Sequence, residues 1–318
     1  MFQCVLGDLS RLLDGNSPLQ TDFTIITTKS LVKSSASGGH YQLERRIQRH
    51  QAHRFVLSFR SRYFESYFRF EANQGKDKGK EKDKDKDRKG KQASDELVLN
   101  DITGEVMAAI LHYIYRGTFA YEPVHQLMDL MVAADHFLLD ELVKSLTDTV
   151  IADLSPDKVV YVFKVASEHY NFDRLSKAAT AYILEHGHLM LEEPSFLQSM
   201  TPDELVTFLS DDFFVVKEDN LIPFLFRYMK EHAIDQQENG LEVMSKLLDV
   251  VRFVLLADGP KLLATLDVNE ELFFNLVVTK YDLAEERAAE IERRKLERKE
   301  TEEKEAENIS QSITNSSQ

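Results

Sequence analysis

In the first half of the chain, some apolar residues recur every three or four positions, as in helices, and others form short strand-like runs. Together they predict a domain of mixed α-helix and β-strand. Residues 22–27 are rich in β-branched side chains and predict a strand. Residues 29–40 are rich in serine and glycine and predict a flexible loop, after which we expect a second strand. A short N-terminal helix is predicted by leucines at helical spacing, namely Leu6, Leu9, Leu12 and Leu13.

The segment over residues 52–64 predicts the end of a strand that runs into an amphipathic helix. We expect Arg60 and Arg62 to point outward. The apolar face of this predicted helix contains Phe55, Val56 and Phe59. Further along, residues 96–99 predict another strand, and Thr103 is placed to cap the helix that follows.

The second half of the chain predicts helices throughout. Pro156 follows Ser155 as a first helical residue, and Thr201 with Glu204 has the spacing of a capping box. The charged tail, from about residue 281 onward, predicts a solvated helix with favourable four-residue charge pairs. The order of elements therefore predicts an α/β domain followed by an all-α domain and a charged extension.

A run of lysines and acids, over residues 75–93, interrupts the first domain and contains no large apolar side chain. Such a run cannot bury enough surface to offset its ordering entropy, so we interpret it as a disordered insertion. A nuclear-localisation or nucleic-acid patch is the alternative interpretation. The alternating acids cancel much of its positive charge, which favours a solvated spacer.

Composition and charge narrow the possible functions. The chain has 318 residues, of which 43% are hydrophobic, so it can form a sizeable core. A formal net charge of −15 repels phosphates and anionic lipid, so we expect neither nucleic acid nor a membrane as partner. Cys4 is the only cysteine, which excludes an internal disulfide. Because no signal peptide is apparent, we expect a soluble protein of the cytoplasm, with nuclear entry left open.

Three ordered blocks in the first half carry a family resemblance. They are residues 52–64 (AHRFVLSFRSRYF), residues 99–117, which include ILHYIYRG, and residues 130–137 (LMVAADHF). Their side-chain order closely resembles that of BTB/POZ domains, an α/β module that dimerises and recruits partner proteins. The resemblance implies a homodimer in which the N-terminal helix is exchanged between subunits.

The second half resembles the BACK domain that follows BTB in many ubiquitin-ligase adaptors. The local matches are Val216 and Glu218 with Tyr228 ten residues after the acid, and a Leu-Leu-x-x-Val-Arg run ending at Arg252. Tyr228 stands where many relatives have tryptophan. We place the BTB domain at residues 1–150, the BACK-like domain at 151–260 and the helical extension at 261–318. This division makes the chain an α+β domain followed by an all-α domain.

The resemblance also implies which residues form the dimer interface. Asp22 and Arg54 match positions that form a charged pocket near the interface in many BTB domains, although a plain surface pair is the alternative. His53 matches a structural position. The interface residues that we expect are Leu9, Leu12, Leu13, Asp22, Phe23 and Arg54.

A cullin contact is the second implied site. Relatives that bind cullin often have an apolar residue two places before an acid here, whereas Arg69 stands two places before Glu71. The surrounding aromatic residues suit a contact surface or a core equally well. The candidate contact residues are Phe68, Phe70 and Glu71.

Candidate catalytic or metal-binding residues are few. Asp211 and Asp212 are adjacent, but no base or nucleophile accompanies them, so we interpret them as loop or capping residues. His186 and His188 lie at a predicted helix end, and His50 lies near the structural His53. We therefore expect no enzyme, no cofactor and no metal.

These observations predict an adaptor that recruits a protein substrate, whose identity the sequence does not name, to a cullin-RING ubiquitin ligase. The rival hypothesis is a dimeric scaffold or transcription co-regulator that does not bind cullin. The absence of a kelch-like repeat, a MATH-like domain or zinc fingers in the sequence favours the rival.

Overall fold

The chain folds into two compact units in a computed structural model. The first unit comprises Met1–Leu154 and Val162–Lys177, and the second comprises Ser155–Tyr161 and Ala178–Gln318. The structure describes residues 12, 20–28, 30–34, 41–45, 47–77, 95–120, 123–256, 274–286, 288–289 and 292–295.

A three-stranded sheet lies at the centre of the first unit. Its strand order is β4-β1-β5, in which β1 pairs antiparallel with β4 and parallel with β5. The central strand is fully covered on one side, since Phe23 and Ile25 are buried. The strands of this sheet are β1 (Phe23–Thr27), β4 (Gln48–Ala52) and β5 (Glu96–Leu99).

A separate hairpin corrects the prediction of a loop over residues 29–40. Residues 30–34 form strand β2 (Ser30–Ser34), which pairs antiparallel with β3 (Tyr41–Arg45). Serine and glycine at the end of the segment indicated a loop, but the ladder between β2 and β3 satisfies the backbone of its first half. Residues 29 and 35–40 lie outside the described residues.

Five helices complete the larger part of the first unit. They are α1 (Arg54–Arg60), α2 (Arg62–Asp77), α3 (Gly104–Arg116), α4 (Val124–His136) and α5 (Asp140–Ala152). The cap at Thr103 is confirmed, because its hydroxyl oxygen accepts the Val106 N–H at 3.3 Å. Helix α3 ends at Gly117, whose φ of 72° is the left-handed conformation that favours glycine.

The regular elements in the described part of the second unit are helices. Its helices are α8 (Gly187–Met190), α9 (Pro194–Ser199), α10 (Pro202–Leu209), α11 (Glu218–Glu231) and α12 (Gly240–Asp249), with residues 274–286 also helical. Two further helices, α6 (Pro156–Glu168) and α7 (Asp173–Glu185), contribute residues to both units. The capping box is confirmed, because Thr201 and Glu204 exchange hydrogen bonds at the start of α10.

Several predictions fall partly or wholly outside the described residues. Residues 75–77 belong to α2, so the predicted disordered insertion is wrong for these three residues, and residues 78–93 lie outside the description. Leu9 and Leu13 also lie outside it, whereas Leu12 is helical and half-buried. In the charged tail, helix is found up to residue 295, and the residues after it are not described.

Candidate functional site

His53 and Tyr115 join the first two sequence blocks of the BTB resemblance. The Tyr115 hydroxyl oxygen accepts the His53 backbone N–H at 2.9 Å and lies 2.9 Å from His53 Nδ1. Both residues are buried, which agrees with a structural role for this histidine. Burial, aided by the charge of Asp22, raises the pKa of Tyr115 to about 12.

Ser61, Phe64 and Phe137 join the first block to the third. The Ser61 hydroxyl donates to the Phe137 carbonyl at 2.7 Å, and the rings of Phe64 and Phe137 stack with centroids 5.2 Å apart. Arg60 adds a contact to the second block, since its Nε donates to the Ile114 carbonyl at 3.1 Å. The expectation that Arg60 points outward is therefore wrong. All three blocks meet around the junction of α1 and α2.

Raising the pH from 10 to 12 is expected to unfold the chain as Tyr115 and Tyr228 ionise. Folding raises the pKa of each from 10.0 to about 12, so their stabilisation is complete below pH 10 and is lost as the pH rises through about 12. The shift corresponds to roughly 2–3 kcal/mol for each tyrosine. Tyrosinate absorbance and far-ultraviolet circular dichroism, followed together against pH, measure the transition.

The variant Tyr228→Phe is the control for this titration, since it keeps the ring and removes one ionising hydroxyl. Its unfolding transition should move to higher pH. A helical signal that persists unchanged in the wild type after both hydroxyls have ionised would contradict the prediction.

Arg54 lies between two aromatic rings. Its guanidinium carbon is 4.9 Å from the ring centroid of Phe23 and 4.9 Å from that of Phe68. The two rings also meet edge to face, with centroids 4.8 Å apart. Phe68, predicted as a cullin contact, is therefore engaged with Phe23 and Arg54, which were predicted for the dimer interface.

Acidic side chains from three segments surround Arg54. Its guanidinium lies 3.5 Å from Glu71 in α2 and 3.2 Å from Asp95 before β5. The Asp22 carboxylate accepts the Arg54 backbone N–H at 2.8 Å and so caps the first residue of α1. We define these residues, together with Phe23 and Phe68, as the Arg54 cluster. The acid–base grouping expected at this place is present, and it also includes the predicted cullin contact Glu71.

Phe55, Phe59 and Phe70 are exposed to solvent on α1 and α2, at 77%, 72% and 64%. The rings of Phe55 and Phe59 stack nearly parallel, with centroids 6.2 Å apart. The buried side of α1 is formed by Val56 and Leu57, so the predicted apolar face is confirmed at Val56 and wrong at Phe55 and Phe59. Sequence reasoning did not assign Phe55 or Phe59 to an interface, although their four-residue spacing places them on one helix face.

Glu218 and Arg252 bring the two local BACK matches together. Glu218 is buried at the start of α11, and its carboxylate accepts the Arg252 backbone N–H at 3.2 Å and binds the Arg252 Nε. Arg252 is half exposed and also lies 3.5 Å from Asp212. In the same unit the buried Tyr228 hydroxyl donates to the Met200 carbonyl at 2.8 Å.

A cavity of about 400 Å³ opens in the first unit beside the edge strand β5. It is lined by the start of α2 at Tyr63, by residues 97–102 and by α4, which contributes Asp129, Val132 and His136. Most of its lining is apolar, with acidic groups at Asp101 and Asp129. Such a lining suits contact with a protein side chain.

The residues considered for chemistry have structural contacts. Asp211 Oδ1 accepts the Phe213 N–H at 2.9 Å in a turn, and His186 Nδ1 lies 3.0 Å from the Tyr182 carbonyl at the end of α7. Within the described residues, no three His, Cys, Asp or Glu side chains lie together in a way that could hold a metal ion. No helix in that part of the chain is long and apolar enough to cross a membrane.

Two family models match the chain. The model described as BTB/POZ domain matches residues 42–154, and the model described as BTB And C-terminal Kelch, or BACK, matches residues 159–263. The order of the two matches agrees with the order of the two resemblances. A solved structure, the BTB domain of zebrafish PATZ1, is 18% identical and covers 46% of this chain and 89% of that chain, with a TM-score of 0.29.

Three curated relatives match the chain at 21–25% identity. The chain is 25% identical over 217 residues to BTB/POZ domain-containing protein 9 of Rattus norvegicus, a match over 64% of this chain and 32% of that protein. It is 22% identical over 204 residues to Kelch-like protein 40 of Xenopus tropicalis, over 64% of this chain and 30% of that protein. It is 21% identical over 206 residues to Kelch-like protein 41 of Homo sapiens, over 65% of this chain and 30% of that protein.

The chain thus spans about a third of the length of the curated relatives that it matches. The two family matches and the meeting of the three sequence blocks confirm the predicted fold, an α+β domain followed by an all-α domain. The chain belongs to the BTB/POZ proteins in which a BACK domain follows the BTB domain.

Proposed function

We propose that this chain is a dimeric adaptor that recruits a protein substrate to a cullin-RING ubiquitin ligase. The observation that carries the proposal is the set of exposed aromatic side chains on α1 and α2 of the BTB domain, Phe55, Phe59 and Phe70. Clusters of solvent-exposed aromatic side chains are typical of surfaces that bind protein partners. The family resemblance supports an adaptor, since BTB and BACK domains occur together in adaptor proteins that carry out no chemistry.

The first surface, on α1, is proposed for a second copy of the chain. Phe55 and Phe59 project from α1, within the first BTB sequence block, and follow Arg54, whose backbone N–H donates to Asp22. In a two-fold interface both copies of each ring are buried, so each residue contributes twice to the binding free energy. The interface that we propose comprises Phe55 and Phe59 together with Leu9, Leu12, Leu13, Asp22 and Arg54. Phe23 is buried and supports this surface from within the chain by packing against Arg54.

The second surface, on α2, is proposed for cullin. Phe70 is the exposed anchor, whereas Phe68 packs on Phe23 and Arg54 within the chain. The cavity beside β5 begins at Tyr63 on the same helix and offers an apolar groove for a partner side chain. Glu71, at the rim, is partly exposed.

In this mechanism the adaptor supplies proximity. The BTB domain holds the cullin scaffold while another surface holds the substrate, which raises the effective concentration of substrate lysines near the charged conjugating enzyme. We propose the cytoplasm as the compartment, with nuclear entry left open, because the single cysteine suits a reducing environment. For the domain boundaries at 1–150, 151–260 and 261–318, support comes from the junction of the family matches between residues 154 and 159.

A dimeric scaffold or transcription co-regulator without cullin is the second candidate. One observation favours it: Glu71 binds Arg54 and accepts the Tyr67 hydroxyl at 3.1 Å within the chain. An acid engaged in this way is less available to a partner, since releasing it would expose the Arg54 charge between two rings.

The variant Phe70→Ala tests the cullin contact in a pull-down with purified cullin. Losing one buried ring should weaken binding by more than about tenfold. Thermal unfolding should not change, because Phe70 is exposed. Phe68→Ala should lower both stability and binding, since its ring packs in the Arg54 cluster.

Tyr170→Ala, at a residue of the same unit that is 97% exposed, is the matched control and should bind cullin as the wild type does. If Phe70→Ala binds as well as the wild type, the contact surface lies elsewhere. If the wild type retains no cullin, the ligase role is wrong and the scaffold remains.

A further inference from the structure

An apolar patch formed by Phe213 and Val215 lies on the surface of the second unit. Phe213 is 78% exposed and Val215 is 55% exposed, whereas Phe214 between them is buried. Phe213 lies in a turn that is closed by the Phe214 N–H, which donates to the Asp211 carbonyl at 3.1 Å. Leu189 of α8 is also partly exposed and follows His188, which contacts Val215.

Backbone hydrogen bonds fix the position of Val215. Its N–H donates to the Leu184 carbonyl at 2.9 Å, and its carbonyl accepts the His188 N–H at 2.9 Å. The patch is therefore held against the end of α7 and the start of α8 on both sides of the Val215 peptide. Because this backbone is anchored, the Val215 side chain stays on the outer side.

Close packing keeps Phe213 outside. A Cβ atom on Gly187 would lie 3.0 Å from the Phe214 ring and 3.0 Å from the Val215 carbonyl oxygen, so the segment fits tightly on this glycine. Phe214 occupies the interior position, and the Phe213 N–H is bound by Asp211. A partner would thus meet a preformed surface and would lose little affinity to ordering it.

Acidic residues flank the patch. Four acids lie beside the patch in the chain or next to the residues that bind Val215, against two exposed bases, Lys217 and Arg252. Arg252 contacts Asp212 at 3.5 Å, but its guanidinium is shared with the buried Glu218. The surroundings of the patch are therefore acidic, and the four acids are Glu185, Asp211, Asp212 and Asp219.

We propose that the Phe213–Val215 patch binds a peptide segment that carries a large apolar side chain between lysines or arginines. The apolar side chain would contact the patch, and the basic residues would pair with the flanking acids, which favours this class of partner over others. This inference goes beyond the adaptor role, because it requires neither cullin nor the BTB dimer.

Two candidate occupants from the chain itself do not fit the patch. A second copy would bring the same acids against this rim in a two-fold contact, which like charges disfavour. The lysine-rich residues 75–93 contain no apolar side chain larger than alanine, so they lack the anchor. The charged tail has the proposed pattern at residues 293–299 (RRKLERK), but its Glu292 and Lys295 line a cavity with residues of α12. We therefore commit to a segment of another protein. Tighter binding of a synthetic 293–299 peptide than of any selected peptide would make the tail the occupant.

Selection of the full chain against a displayed library of random short peptides tests the proposal. The enriched peptides should share an aromatic or long aliphatic residue flanked by Lys or Arg. Fluorescence polarisation with the most enriched peptide, made synthetically, then compares variants. Phe213→Ser and Val215→Ser should each weaken binding at least about tenfold. Glu185→Gln with Asp212→Asn should weaken it a few-fold at low salt and less at high salt.

Leu241→Ser, at another exposed apolar residue of the same unit, is the matched control and should leave binding unchanged. Circular dichroism confirms that each variant is folded. The proposal is overturned if no peptide is enriched, if the enriched peptides lack basic residues, or if they bind Phe213→Ser as tightly as the wild type. It is also overturned if Phe213→Ser forms a smaller assembly than the wild type does, because a second copy would then be the occupant.

Discussion

Replacing Phe55 and Phe59 together by serine is expected to convert a dimer into a folded monomer. Each ring should contribute about 1.5–3 kcal/mol when buried, and a two-fold interface contains two copies of each ring. The dissociation constant should therefore rise by more than ~1000-fold. Light scattering at micromolar concentration should give the chain mass of 36.6 kDa for the variant and twice that mass for the wild type.

Phe70→Ser is the matched control, since it removes an exposed phenylalanine from α2 of the same unit. It should remain a dimer. Circular dichroism should show no loss of helix in either variant, because none of the three rings packs in the core. A wild-type protein that is monomeric at micromolar concentration would show that the α1 surface does not bind a second copy.

Arg252→Met is expected to lower the free energy of unfolding by about 2–4 kcal/mol. The substitution leaves the Glu218 carboxylate buried without the guanidinium that neutralises it. Arg252 is half exposed, which places the expected loss toward the lower end of this range. Urea unfolding followed by circular dichroism measures the change.

The double variant Glu218→Gln with Arg252→Met should recover part of the loss, because the buried side chain then carries no charge. Arg62→Met is the control, since Arg62 and Asp140 form an exposed pair, and it should cost less than about 1 kcal/mol. Equal losses for Arg252→Met and Arg62→Met would mean that the buried pair has no special role in the BACK domain.

Local signals in the sequence predicted local structure well. Thr103 caps α3 and Thr201 caps α10 through contacts within four residues, so the sequence around them contains the whole signal. Strand β2 was missed because its stability comes from pairing with β3, beyond a segment rich in serine and glycine. Composition alone indicates a loop there, whereas the ladder depends on residues 41–45, which lie outside the segment.

The site was predicted in parts rather than as a whole. The resemblance selected Arg54 and Glu71 for two different surfaces, and only the fold shows that their side chains meet. The exposure of Phe55 and Phe59 depends on which side of α1 faces the core, and that is decided by neighbours far away in the chain. A pattern of apolar residues cannot separate a ring that fills a core from one that awaits a partner.

The Arg54 side chain connects two segments, one on each side of the lysine-rich residues. Glu71 lies late in α2 and Asp95 lies directly before β5, and both carboxylates contact the same guanidinium. Arg54 therefore connects α2 to the residue before β5 by ion pairs. Because the entropy of closing a loop grows only by about 0.6 kcal/mol for each doubling of its length, this position suits grafting. A fluorescent protein or an affinity tag could be inserted between Asp77 and Asp95 while the BTB domain keeps its structure.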